Sequence, residues 1–240
     1  MSIRLMLAAL LLLSGACQSP SFRQCPNLHT DPTKQLYNDI VTELIERRFY
    51  NAYLPDKEQE ELNKHFAQID HAGSSGPKDS AWHHAQNARL QNQLFRDSAR
   101  FQTFYLDTMP KRNTMRLAEL PDSFSTLEAS YDVASLLTSF APHQPQATLD
   151  RLNRVQTDMR AEEFQLCTAR LQPLQDGQKW WTTGAGIISL SEVVFNADQD
   201  QALLSYGWQC GGRCGFGEVL LVEKTNGRWH IRQAQRTWIS

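Results

Sequence analysis

The residues best equipped for chemistry sit late in the chain, in the run Cys210-Gly211-Gly212-Arg213-Cys214-Gly215-Phe216-Gly217. Two thiols around an arginine suggest a reactive thiol, half of a metal site, or backbone N–H groups forming an anion-binding nest. The spacing weakens each of these. Cys-x-x-x-Cys is not the Cys-x-x-Cys of redox motifs, and the run lies in a predicted hairpin rather than at a helix N-terminus, where a thiol pKa falls. Zinc would need two further ligands, and the sequence offers no obvious pair. The glycines match neither the dinucleotide fingerprint nor the P-loop, both of which need a strand-to-helix setting. The plainer reading is a disulfide-closed hairpin whose glycines permit positive φ.

Other candidates are thinner. Tryptophan concentrates late, at Trp180, Trp181, Trp208, Trp229 and Trp238, with Trp82 alone earlier. Exposed rings would stack on sugars, which makes Arg213, Trp208 and Trp229 candidate ligand contacts. Aromatics on strands more often fill a core. His83 and His84 are adjacent, so on a helix they point about 100° apart and poorly serve one metal. His65 and His71 straddle a predicted helix end, and His29 lies in the N-terminal stretch. His-Glu-x-x-His and Gly-x-Ser-x-Gly are both missing. Glu60–Glu61 and Glu162–Glu163 fall in polar helical stretches and read as solvated surface. No catalytic residue, metal or cofactor is assigned.

The elements that would position these residues change character along the chain. Gln18–Thr33, with Pro20, Pro26 and Pro32, reads as an extended tether. Asp31 or Thr33 would cap a helix in which Leu36, Ile40, Val41, Leu44, Ile45 and Phe49 recur at helical spacing. Glu43, Glu46 and Arg47 fall on its opposite face, and the helix should end before Pro55. More polar helices are expected over Lys57–Ile69 and Ala81–Ala99, with the loop His71–Ser80 between them. Phe101–Leu106 alternates as a strand. Phe124–Leu137 and Leu149–Met159 are expected helices, separated by a proline-containing loop at Ala141–Gln146.

The last third is strand-rich. Ile187–Phe195 is a strand former, Asn196–Gln201 a polar turn, and Ala202–Trp208 puts Leu204, Tyr206 and Trp208 on one face. Cys210–Gly217 reads as a connection before the apolar Val219–Val222. Thr225-Asn226-Gly227 carries the Asn-Gly hairpin signal, and Arg228–Trp238 returns as the final strand. Helices first and an antiparallel meander last predict an α+β fold.

Lys and Arg number 24 against 26 Asp and Glu, a formal charge of −2 that predicts no nucleic-acid partner. At the N-terminus, Arg4 precedes the uncharged Leu5–Leu13. That run is too short for a membrane span, which needs roughly 20 apolar residues. A basic start, an apolar core and then small residues form the secretory-signal pattern.

Leu13-Ser14-Gly15-Ala16-Cys17 resembles the lipobox of bacterial lipoproteins. The resemblance implies diacylglycerol on the Cys17 thiol, cleavage before that residue, and, with Gln18 next, the inner leaflet of an outer membrane. Setting Cys17 aside leaves Cys25, Cys167, Cys210 and Cys214, an even set in an oxidising compartment. Four cysteines allow three pairings. A hairpin loop at Gly211–Arg213 favours Cys210 with Cys214; Cys25 with Cys167 follows by elimination and ties the tether to the body.

The C-terminal quarter also resembles the ending of uncharacterised bacterial secreted proteins and lipoproteins. The likeness lies in Cys210-Gly211, Cys214-Gly215-Phe216-Gly217, Asn226-Gly227-Arg228-Trp229 and Trp238-Ile239-Ser240, with Arg228 where those endings carry lysine. It implies a small curved sheet and no catalytic residues. The expected organisation is a signal peptide over 1–16, a lipidated cysteine and tether over 17–33, and one α+β domain over 34–240. Within that domain 34–160 would be helical and 180–240 the meander.

The expected function is non-catalytic binding or envelope assistance, with a membrane contact through lipid and an envelope protein or glycan as partner. Two alternatives are a cell-envelope enzyme using Cys210 and Cys214 or an acidic pair, and an inhibitor or immunity-type lipoprotein.

Overall fold

The computed structural model describes residues 25–54, 57, 60, 95–109, 133–179, 182–212 and 214–240. The expected helices over 57–69 and 81–99 fall largely outside these residues, as do residues 1–24. Within the described residues the chain is α+β, its α-helices preceding all but one strand of a mostly antiparallel sheet.

Helix α1, Pro32–Arg47, begins where the sequence says it should. Asp31 caps it, its carboxylate accepting the Lys34 N–H at 2.9 Å, and Pro32 starts the first turn, where a missing N–H costs nothing. The apolar stripe Leu36, Ile40, Val41, Leu44 and Ile45 is fully buried. The opposite side departs from expectation. Asn38, Asp39, Thr42 and Glu46 are also buried, because residues 25–28 and 165–168 close over that side of the helix.

Six strands follow the order β2-β1-β3-β5-β6-β7, and a short seventh, β4, pairs beside β3 along the same edge of β5. Their ranges are β1 Thr103–Asp107, β2 Arg170–Pro173, β3 Gly186–Leu190, β4 Val194–Phe195, β5 Gln201–Gly211, β6 Cys214–Thr225 and β7 Arg228–Ile239. From β3 onward neighbours are antiparallel; β1 runs parallel to both β2 and β3. The β6–β7 hairpin turns through Asn226 (φ 52°) and Gly227 (φ 78°), the paired positive angles that an Asn-Gly turn supplies.

Both faces of β5 are covered. Leu204, Tyr206 and Trp208 join Leu220, Val222 and Trp229 beneath α1. Leu203, Val194 and Val219 pack instead with α2, Val133–Phe140, and α3, Pro145–Leu152, on the other face. The Ser205 hydroxyl donates to the Leu152 carbonyl at 2.9 Å, fastening α3 to the sheet. The α3 boundaries correct the expected Leu149–Met159. Pro145 opens the helix inside the expected loop, and after Leu152 the chain straightens so that Val155 can bridge Ser191.

Cys210–Gly217 is likewise not a connection. Gly211 pairs with Cys214, so the loop is two residues long, and the strands continue through Gly215 and Gly217. Their glycines serve a different end. The Trp238 indole lies across them, and a Cβ on Gly217 would come within 2.0 Å of its Nε1. Gly217→Ala should therefore cost about 1–3 kcal/mol in urea unfolding by forcing that ring aside. Placing the substitution in a Trp238→Ala background should remove most of the cost, and an undiminished cost there would show that the ring is not its cause.

Candidate functional site

The densest convergence of polar groups lies on the covered side of α1. Asn27 Nδ2 donates to the Gln35 carbonyl at 2.9 Å and to Asp39 Oδ1 at 2.7 Å. Arg228 pairs with Asp39 at 2.7 Å and donates to the Cys25 carbonyl at 2.8 Å. The Leu28 N–H reaches Gln165 Oε1 at 2.7 Å, and the Gln165 N–H reaches Asn38 Oδ1 at 2.6 Å. Residues 25–28, within the stretch expected to be tether, thus lie against the body. A disulfide between Cys25 and Cys167, with Cα atoms 5.3 Å apart, makes the crossing covalent.

Glu46 sits against this disulfide, with its Oε1 3.8 Å from Cys25 Sγ. Burial pushes its carboxyl up to about 7. The Thr168 hydroxyl, which makes no completed hydrogen bond, is the largest opposing influence, followed by Arg47; Glu43 adds to the rise and Arg228 opposes it. The Cys167 N–H points at Cys25 Sγ from 3.2 Å. Cys25 is buried, whereas Cys167 is half-buried. Helical spacing places Glu46 on the face opposite the apolar stripe, yet it is buried. The signal for burial was the Asn38, Thr42, Glu46 spacing, one polar side chain per turn beside the apolar stripe.

The Cys25, Glu46 and Cys167 donor atoms lie within 4.8 Å of one another, close enough for a metal. The chemistry does not fit. Metal binding needs thiolates, and both sulfurs are committed to the S–S bond.

A second buried carboxylate, Glu218, is handled differently. Tyr206 Oη donates to it at 2.6 Å, Arg236 through Nε at 3.2 Å, and Arg48 also pairs with it. The Arg236 guanidinium lies 4.4 Å from the Phe216 ring centre, adding a cation–π contact. Burial, reinforced by Glu218, raises the Tyr206 hydroxyl pKa, so it stays a donor. Two cations and a phenol engage this carboxylate, which pins the end of α1 to β6 and β7.

The other sequence candidates are dispersed. Cys210 and Cys214 form a second disulfide beside the β5–β6 turn, Cα atoms 5.0 Å apart. Trp208 and Trp229 are core residues; Trp208 stacks on Phe49 with centroids 4.5 Å apart, and Trp229 packs against Phe195. Neither presents a ring face to a ligand. Arg213 and Cys17 lie outside the described residues, as do Trp180, Trp181, His83 and His84. Glu163 caps its own turn and pairs with Lys34, which holds its carboxyl below the usual range. Comparison with protein-family models, curated proteins and solved structures gave no match to this chain.

Two stability tests follow from this arrangement. A carboxyl whose pKa rises on folding binds its proton more tightly in the native state, so its ionisation weakens the fold. Stability contributed by protonated Glu46 should be present below about pH 4.5 and decline up to about pH 7. Glu46→Gln should then be the more stable protein at pH 8, by up to roughly 3 kcal/mol, with the gap closing at pH 4. Urea titrations at both pH values measure this, and a gap independent of pH would refute the linkage.

The disulfides should differ in worth because their loops do. Cys25–Cys167 spans 142 residues and Cys210–Cys214 spans 4. Loop-closure entropy gives about 5 kcal/mol for the first and about 2 for the second. Paired Cys→Ser variants, compared by thermal unfolding, should rank in that order.

Proposed function

We propose that this chain is a lipid-anchored domain of the bacterial cell envelope, held through Cys17 on the inner leaflet of the outer membrane. There it serves as a non-catalytic accessory that binds an envelope protein or glycan. The observation that carries the reading is Leu13-Ser14-Gly15-Ala16-Cys17 directly after a short apolar run. Dual acylation gives stable anchoring where a single chain gives marginal binding.

The fold supplies two supports. Both disulfides suit an oxidising compartment. The first of them is also where an anchored domain would bear load. Cys25 lies eight residues after Cys17, a span of at most about 29 Å. Force transmitted along that span reaches Cys25, whose carbonyl Arg228 holds, and passes through the S–S bond into residue 167. Helix α1 is thereby spared from peeling off the sheet. Among the described residues no helix is long and apolar enough to cross a membrane, so the attachment proposed is the lipid.

Cys17→Ser should move the protein from the membrane fraction to the soluble periplasmic fraction without changing its melting temperature. Mass spectrometry of the wild-type N-terminus should find a lipid-modified Cys17. An unmodified Cys17, or cleavage at another bond, would overturn the proposal.

A further inference from the structure

We propose that Cys25–Cys167 is an exchangeable clasp, opened by a dithiol that attacks Sγ of Cys167, with Glu46 protonating the Cys25 sulfur that leaves. Three features of the site converge on this. The first is access: Cys25 is 1% exposed and Cys167 is half-buried, so an incoming thiolate meets Cys167. The second is stabilisation of the leaving sulfur, because the Cys167 N–H already points at Cys25 Sγ from 3.2 Å. Lowering the leaving thiol's pKa speeds exchange. The third is a proton source. A disulfide sulfur has no hydrogen, so any proton passed across the 3.8 Å between Glu46 Oε1 and Cys25 Sγ comes from the carboxylic acid.

The exchange balances in two steps. The dithiol's first thiolate forms an S–S bond to Cys167 as the Cys25–Cys167 bond breaks, and the electron pair goes to Cys25 Sγ. That sulfur takes the Glu46 proton, leaving a thiol and a carboxylate, which regains its proton from water. The dithiol's second thiolate then attacks its own bridged sulfur and expels Cys167, which is protonated by solvent. The dithiol ends as a disulfide, oxidised by two electrons, and the clasp as two thiols, reduced by two.

Charged and polar groups from several elements surround Glu46. Arg47 and Glu43 lie on its own helix, Arg228 comes from β7, Tyr53 from the turn after α1, and Thr168 from beside the disulfide. Arg47 pairs with Glu43 and Arg228 with Asp39. Opening the clasp frees the crossing of residues 25–28 over α1 from its covalent hold.

Cys210–Cys214 provides an internal reference in the same molecule. The native full chain would be treated with dithiothreitol between pH 6 and pH 8, alkylated at intervals, and both disulfides followed by peptide mass spectrometry. Both reductions share the rise in dithiothreitol thiolate, so their rate ratio isolates Glu46. With Glu46 titrating at about 7, the ratio of Cys25–Cys167 to Cys210–Cys214 should fall about tenfold over that range. Glu46→Gln, which keeps the shape but has no proton to give, should flatten it.

A ratio that is constant or that rises with pH in the wild type overturns the proposal; a rise is what exposure through unfolding would produce. Glutathione, a monothiol, checks the attack site without any variant. The mixed disulfide is expected on Cys167, and an adduct on Cys25 overturns the proposal equally.

Discussion

Helix α1 is buried on almost every side, and that constraint organises the structure. A helix with one dry face needs only an apolar stripe, whereas one enclosed all round must find partners for each polar side chain it carries. Asp39 obtains them from Asn27, Arg228 and the Trp229 N–H, and Asn38 from the Gln165 N–H. Those partners come from the segment before the helix, the 165–168 segment and the start of β7. Satisfying one helix thus draws together parts of the chain some 200 residues apart in sequence (Asn27 to Trp229).

Two carboxyl groups buried by this packing have different surroundings. Glu218 lies between Arg48 and Arg236 with a tyrosine hydroxyl on it, so two cations and a donor partner it in the low-dielectric interior. Glu46 lies against a disulfide and a threonine, and burial raises its carboxyl's hold on a proton. Depth is similar in the two sites, at 4% and 6% exposure, so what differs between them is the company each carboxyl keeps.

Much of this was legible in the sequence wherever the signal is local. The Leu36–Phe49 period gave α1, the alternation of Leu204, Tyr206 and Trp208 gave a core-facing strand, and Asn226-Gly227 gave its hairpin. Both disulfide pairings follow from a tight loop and elimination. What escaped is non-local. The parallel ladder of Phe104 with Leu171 and Gly186 has no marker in either segment. Gly215 and Gly217 carry the turn composition of a loop, yet they are strand residues made small by Trp238, which is distant in sequence. Glu46 looked solvated because the segments covering it come from outside its helix.

The position of β1 sets a timetable for folding. Its partners, β2 and β3, lie more than 60 residues further along the chain, and the closing of such long loops slows formation of parallel pairs. Joining Cys25 to Cys167, three residues before β2, closes a longer loop still, of 142 residues. The β5–β6–β7 hairpins and Cys210–Cys214 can assemble from neighbouring residues alone. The earliest cysteine of the described chain thus meets its partner only across a long loop, whereas Cys210 meets Cys214 within a single turn.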